Sequence, residues 1–202
     1  MERALELPTT HRLPLSWLYE AASAPLQYRA LAEAAPVDAR DPVRLAALKA
    51  AALTFKPATA IARKQRETGL WGGNLLAPAA SRPMGWSEPG TVFQYLRLTE
   101  LGWPVEERPF RLADRLLFRL LSRDDDPALL MEFQRPARTD PGLAAWARSM
   151  GRIAAAAALA RAGHIEDPRL RGIAWQIRIR PCSTSPASSA LFTRIVTSPA
   201  AR

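Results

Sequence analysis

The stretch IARKQRETGLWGGN, Ile61 to Asn74, contains Gln65, Gly69 and Trp71 in the spacing Q-x-x-x-G-x-W. Each residue type has a physical use at that spacing. Glycine adopts the left-handed backbone conformation that stops a helix, so Gly69 is expected to end the helix opened by Pro57. Trp71, two residues on, can fold back onto an apolar surface. The Gln65 side-chain amide donates and accepts at once, so it can bridge an exposed helix end and a neighbouring loop. Ile61 lies four residues earlier and offers an apolar anchor one turn back. Together these residues would pin one helical hairpin to the next.

Outward from this stretch the chain reads as helices joined by Pro/Gly loops. Asp-Pro pairs stand at Asp41-Pro42, Asp126-Pro127, Asp140-Pro141 and Asp167-Pro168. An Asp cap accepts a backbone N–H and Pro is tolerated in the first turn, so each pair predicts a helix start. Four such starts, irregularly spaced, suggest helical hairpins stacked in series. Leu15 to Ala35 is apolar at helical spacing with a break at Pro25, and Trp71 to Pro89 is a loop. Helices are predicted over TVFQYLRLTEL, RPFRLADRLLFRLLSR and DPGLAAWARSMGRIAAAAALARAG. From Ile173 to Ile179 apolar residues alternate with Ala174, Gln176 and Arg178, which fits a strand or a helix running on from Asp167. Residues 1–180 are expected to form a single helical domain. Residues 181–202, rich in Ser, Thr, Pro and Ala, are expected to be a poorly ordered tail whose mismatch with the rest suggests a truncated or altered C-terminus.

IARKQRETGLW resembles the QW-type repeat of the terpene cyclase and prenyltransferase superfamily, and GTVFQYLRLTELG resembles the Gly-Thr-led inner helix of that repeat. The resemblance covers roughly Asp41 to Gly163 and rests on one good motif copy. It implies an all-α fold of stacked hairpins, an incomplete α/α toroid, in which Gln65, Gly69 and Trp71 brace the structure and perform no chemistry. The superfamily's catalytic groups do not carry over. The acidic cluster RDDDP has Arg123 where a D-x-D-D acid needs its first Asp, and Ala128 and Leu129 where a D-D-x-x-D metal motif needs acids. Asp126 there reads better as a helix cap, with its neighbours favouring the N-terminal dipole. Zinc-dependent prenyl transfer needs Asp, Cys and His ligands, yet Cys182, His11 and His164 share no ligand spacing. His164 reads as a dipole contact at a helix end.

Composition bounds the rest. Apolar residues make up 48% of 202, enough to exclude disorder of the whole chain and to build a sizeable core. The chain carries +9, almost all as Arg, since Lys49, Lys56 and Lys64 are its only lysines. Arginine suits bidentate contact with phosphate or carboxylate, and is also what a GC-rich genome supplies. A lone cysteine forms no internal disulfide, the N-terminus carries acids early, and no apolar run approaches the roughly 20 residues of a membrane helix, so the expectation is a cytoplasmic protein without a transmembrane segment. No P-loop, G-x-G-x-x-G, G-x-S-x-G or Cys/His arrangement is present, and no cofactor or metal is expected.

Arg111, Arg115, Arg119 and Arg123 step by four and share one helix face. Like charges at that spacing cost a few tenths of a kcal/mol per pair, and Asp114 relieves part of it. Two explanations stand side by side: an anion-binding stripe for a diphosphate, a nucleic acid backbone or an acidic partner, or a solvated outer face opposite the leucines. Three functional expectations follow. The first is a binding or scaffold module for a hydrophobic ligand or a protein, favoured by Trp and Phe around a cavity. The second is an Arg-rich, HEAT-like helical repeat that binds nucleic acid. The third is a cyclase or prenyl-transferring enzyme with an unfamiliar acid, for which Asp114, Glu100 and Glu132 are the candidates, each needing burial and a raised pKa.

Overall fold

The computed structural model describes residues 15–37, 40–122 and 126–179. Its described elements are all helical: α1 (Leu15–Glu20), α2 (Ala24–Arg29), a π segment (Ala30–Ala34), α3 (Pro42–Thr54), α4 (Lys56–Arg63), α5 (Thr91–Glu100), α6 (Arg108–Ser122), 3-10 segments at Pro127–Phe133 and Pro136–Arg138, α7 (Pro141–Arg161) and α8 (Pro168–Ile179). Among the described residues no strand forms; Trp71–Asn74 and Ser81–Trp86 make only isolated bridges. No single described helix is long and apolar enough to cross a membrane. The expected tail at 181–202, Cys182, His11 and Arg123 lie outside the described residues.

The helix starts follow from the Asp-Pro pairs. The Asp41 carboxylate accepts from Val43 N–H at 2.9 Å, Asp126 from Ala128 at 3.0 Å, Asp140 from Leu143 at 2.9 Å and Asp167 from Arg169 at 2.9 Å. At Asp126 the helix that follows is 3-10, not α. The alternating stretch after Ile173 is helix, continuous from Pro168 to Ile179. One helix end differs from expectation. α4 stops at Arg63, so Gly69 does not cap it and Gln65 is not on its last turn. Instead Arg66 N–H donates to Leu70 O and Gly69 N–H to Arg66 O, both at 2.9 Å, closing a separate turn.

The chain divides into two compact units. The first comprises the described residues of Met1–Arg63 together with Leu98–Pro104. Within it α2 packs on α3, and the Arg29 guanidinium grips Glu33 through two bonds of 2.8 and 3.0 Å while a third reaches Glu100 O at 3.2 Å. The second unit comprises Lys64–Arg97 and the described residues from Val105 on. Its core is Trp71, Phe110, Ala113, Leu117, Ala155, Ala158 and Leu159, all fully buried. α6 offers Ala113, Leu117, Leu120 and Leu121 and packs on α7, whose Gly151, Ala155 and Ala158 are small and buried, while Ala144 and Ala147 of α7 pack with Leu130 and Ala137 of the 3-10 segments.

Candidate functional site

The second unit is organised around the loop from Lys64 to Gly90. The Gln65 amide, buried, donates to Gly69 O at 3.1 Å and to Pro109 O, in the first turn of α6, at 2.8 Å. Its own oxygen finds no partner among the described residues, where it donates twice and does not bridge as both donor and acceptor. Gly69 sits at φ +87, and a Cβ there would stand 2.5 Å from Leu112 O, so only glycine fits against α6. Trp71 is fully buried, and its backbone N–H donates to Thr91 Oγ1 at 3.1 Å. Thr91 Oγ1 in turn donates to Asn74 O at 2.9 Å. Asn74 is buried and ties its own turn together, donating to Glu88 O at 3.2 Å and accepting from Ala77 N–H at 3.2 Å. A Cβ at Gly90 would meet Leu75 O at 2.5 Å, which explains the Gly-Thr pair that opens α5.

This braced loop forms one wall of an apolar cavity of about 290 Å³. Trp86 comes from the loop, Phe93 from α5, Phe133 from the 3-10 segment, and Trp146 and Met150 from α7. Phe133 and Trp146 meet edge to face, with centroids 5.4 Å apart at 86°. Phe93 and Met150 remain 40% and 37% exposed, so large apolar side chains reach solvent at the same cavity they line. Glu132 is the polar group here. Its two carboxylate oxygens accept from Leu75 and Leu76 N–H at 2.8 and 2.7 Å. The residue before it, Met131, has φ 48 and ψ −118, a conformation costly for any side-chain-bearing residue. The chain therefore holds strain at the point where it delivers a carboxylate to the cavity wall.

A second cluster is built on α6. The Tyr95 hydroxyl donates to Asp114 Oδ1 at 2.7 Å, and His164 Nε2 stands 3.3 Å from Asp114 Oδ2, at ion-pair distance but not aligned as a hydrogen bond. Burial raises the Asp114 pKa above the ordinary carboxylate value, against the smaller opposing pull of Tyr95 and His164. Burial and then the Asp114 contact push the Tyr95 hydroxyl up as well. Asp114, Arg115, Phe118, Arg119 and Arg169 line an open cleft of about 430 Å³. Arg119 pairs with Asp126 at 2.7 Å, and Arg169 pairs with Asp167 at 2.8 Å while its guanidinium stacks 3.9 Å over the Phe118 ring.

Of the arginines stepping by four, Arg111, Arg115 and Arg119 are exposed on α6, opposite Ala113, Leu117 and Leu120. Among the described residues no group of three His, Cys, Asp or Glu side chains is placed to hold a metal ion. Of the three candidate acids, Asp114 stands in the cleft and Glu132 in the cavity wall, while Glu100 is exposed at the end of α5 and lacks the burial that role needs. Trp86, Phe93, Phe133 and Trp146 carry no common periodicity, and Tyr95 and His164 are far apart in the chain, so no local pattern joins them. Compared with protein-family models, with curated proteins and with solved structures, the chain matches none.

Proposed function

We propose that this chain is a helical binding module whose ligand is a hydrophobic small molecule, held in the cavity between the 64–90 loop, α5, the Pro127–Phe133 segment and α7. The observation that carries this reading is the convergence of Trp86, Phe93, Phe133 and Trp146 on one cavity beside a fixed carboxylate. A mostly apolar, aromatic wall with few polar groups is the usual composition of a small-molecule site. The groove between α7 and α8, lined by Ile153, Ala157, Ala160 and Ile173, has no aromatic wall and is the weaker candidate. The toroid-type hairpin belongs to the same reading: Gln65, Gly69 and Trp71 brace the loop that forms the cavity wall and leave the ligand contacts to others. The test is titration with a short isoprenoid alcohol such as geraniol, followed by tryptophan fluorescence and calorimetry. Saturable binding is expected in the wild type, and its loss in Ala154→Leu, which fills the cavity from α7. A wild type that binds no apolar probe would refute the reading.

An enzymatic reading has one observation in its favour, the raised pKa of Asp114. That acid lines the arginine cleft and not the aromatic cavity, whereas Glu132 lines the cavity with both oxygens committed to backbone donors. An acid able to protonate an apolar substrate and the apolar wall that would hold it therefore fall in different places. Nucleic acid binding rests on the exposed α6 arginines. Arg119 and Arg169 already have carboxylate partners, which leaves less charge for a phosphate backbone.

A further inference from the structure

We infer that the aromatic cavity selects an organic cation: a ligand with an apolar body and a quaternary or tertiary ammonium group. This rests on the cavity being a ligand site, as proposed above, and adds the charge of the ligand. Among the described residues no Lys or Arg lines this cavity, and the one formal charge in its lining is the Glu132 carboxylate. That carboxylate has no ion pair among the described residues. Its two neighbours are the Leu75 and Leu76 N–H groups, neutral donors that fix its position and leave its negative charge uncancelled. A neutral hydrophobe would gain nothing from that charge, and an anion would be repelled by it.

The walls favour the same sign. Trp86, Phe93, Phe133 and Trp146 present π systems whose faces are negative, and a cation within about 6 Å of such a face is attracted to it. The edge-to-face packing of Phe133 and Trp146 locks these two rings in orientation before any ligand arrives. A quaternary ammonium is the form of cation best suited to such a site. Its charge is spread over alkyl groups and it has no N–H to satisfy, so it asks the cavity for no hydrogen-bond acceptor and leaves Glu132 on its backbone donors. The strained backbone at Met131 is consistent with a residue held in place for its charge: a bend adopted at a cost positions the neighbouring Glu132 against the loop.

The decisive comparison uses two probes of the same shape, one charged and one neutral, phenyltrimethylammonium and tert-butylbenzene, titrated calorimetrically into the wild-type 202-residue chain. Preference for the ammonium by roughly tenfold or more is expected, the size of effect that aromatic faces and a nearby carboxylate produce when partly desolvated. Trp146→Leu should reduce that preference severalfold while retaining the binding of tert-butylbenzene. Glu132→Gln should do the same. Because Glu132→Gln also removes an acceptor from the loop, circular dichroism checks its fold, and Trp146→Leu decides if it unfolds. Equal affinity of the wild type for both probes would overturn the cation assignment and leave the hydrophobic site standing. Binding of neither probe would overturn both.

Discussion

Trp71 and Gly69 show how single residues carry this structure. Trp71 is fully buried, and Trp71→Ala should cost about 3–5 kcal/mol, read as a lower urea midpoint. Gln65→Ala should cost less, about 1–3 kcal/mol, because it strands the buried carbonyls of Gly69 and Pro109. Wild-type midpoints in both would mean that the loop is not braced as described. Met131 points the other way. Its φ of 48 and ψ of −118 suit glycine, so Met131→Gly should leave stability unchanged or raise it by up to about 1 kcal/mol, despite the extra freedom glycine gives the unfolded chain. A loss of more than about 1 kcal/mol would show that the Met131 side chain contributes packing worth more than the strain.

At the level of elements, the Asp-Pro starts make a local prediction. Asp140 caps α7, the longest of the described helices, through Leu143 N–H, and Asp140→Ala should destabilise the protein by about 1 kcal/mol in thermal or chemical unfolding. An unchanged melting temperature would mean that water replaces the cap without cost. α6 divides its faces sharply: Leu117, Leu120 and Leu121 are buried, and Arg111, Arg115 and Arg119 are exposed. The arginine spacing was legible in the sequence as one face. What the sequence did not contain was the company that face keeps, since Asp126 reaches Arg119 from the next segment and Arg169 arrives from α8. Helix ends were less legible than helix starts. A carboxylate and the N–H it caps lie within three residues of each other, but the end of α4 at Arg63 has no comparable local marker.

For the molecule as a whole, stability should depend on pH through two carboxylates with opposite signs. The folded pKa of Asp114 lies above its unfolded value, so the folded state holds the proton more tightly. Its favourable contribution is complete below about pH 4 and is lost as pH rises through the raised folded pKa. Asp167, held at about 2 by Arg169, works in reverse: its contribution is present above about pH 4 and is lost as pH falls towards 2, and solvent exposure keeps it small. Asp114→Asn should therefore remove the decline in stability expected of the wild type above about pH 4. Parallel stability profiles for the two proteins would show that Asp114 ionises without cost, and would weaken the case for it as a proton donor.

The sequence by itself determined the helical class, the four Asp-capped starts and the amphipathic division of α6, because each depends on residues within a turn or two of one another. Gly69 and Trp71 stood out as well, but for a reason only partly right: glycine is required at position 69 by the backbone of Leu112, not by the end of α4. Tertiary structure alone decided the cavity. Trp86, Phe93, Phe133 and Trp146 belong to four different elements, and their convergence depends on how the 64–90 loop folds onto α5 and α7. It also decided the setting of each acid. Burial beside Tyr95 and His164, or a clamp on two backbone N–H groups, is a property of neighbours distant in the chain, and no spacing along the sequence encodes it.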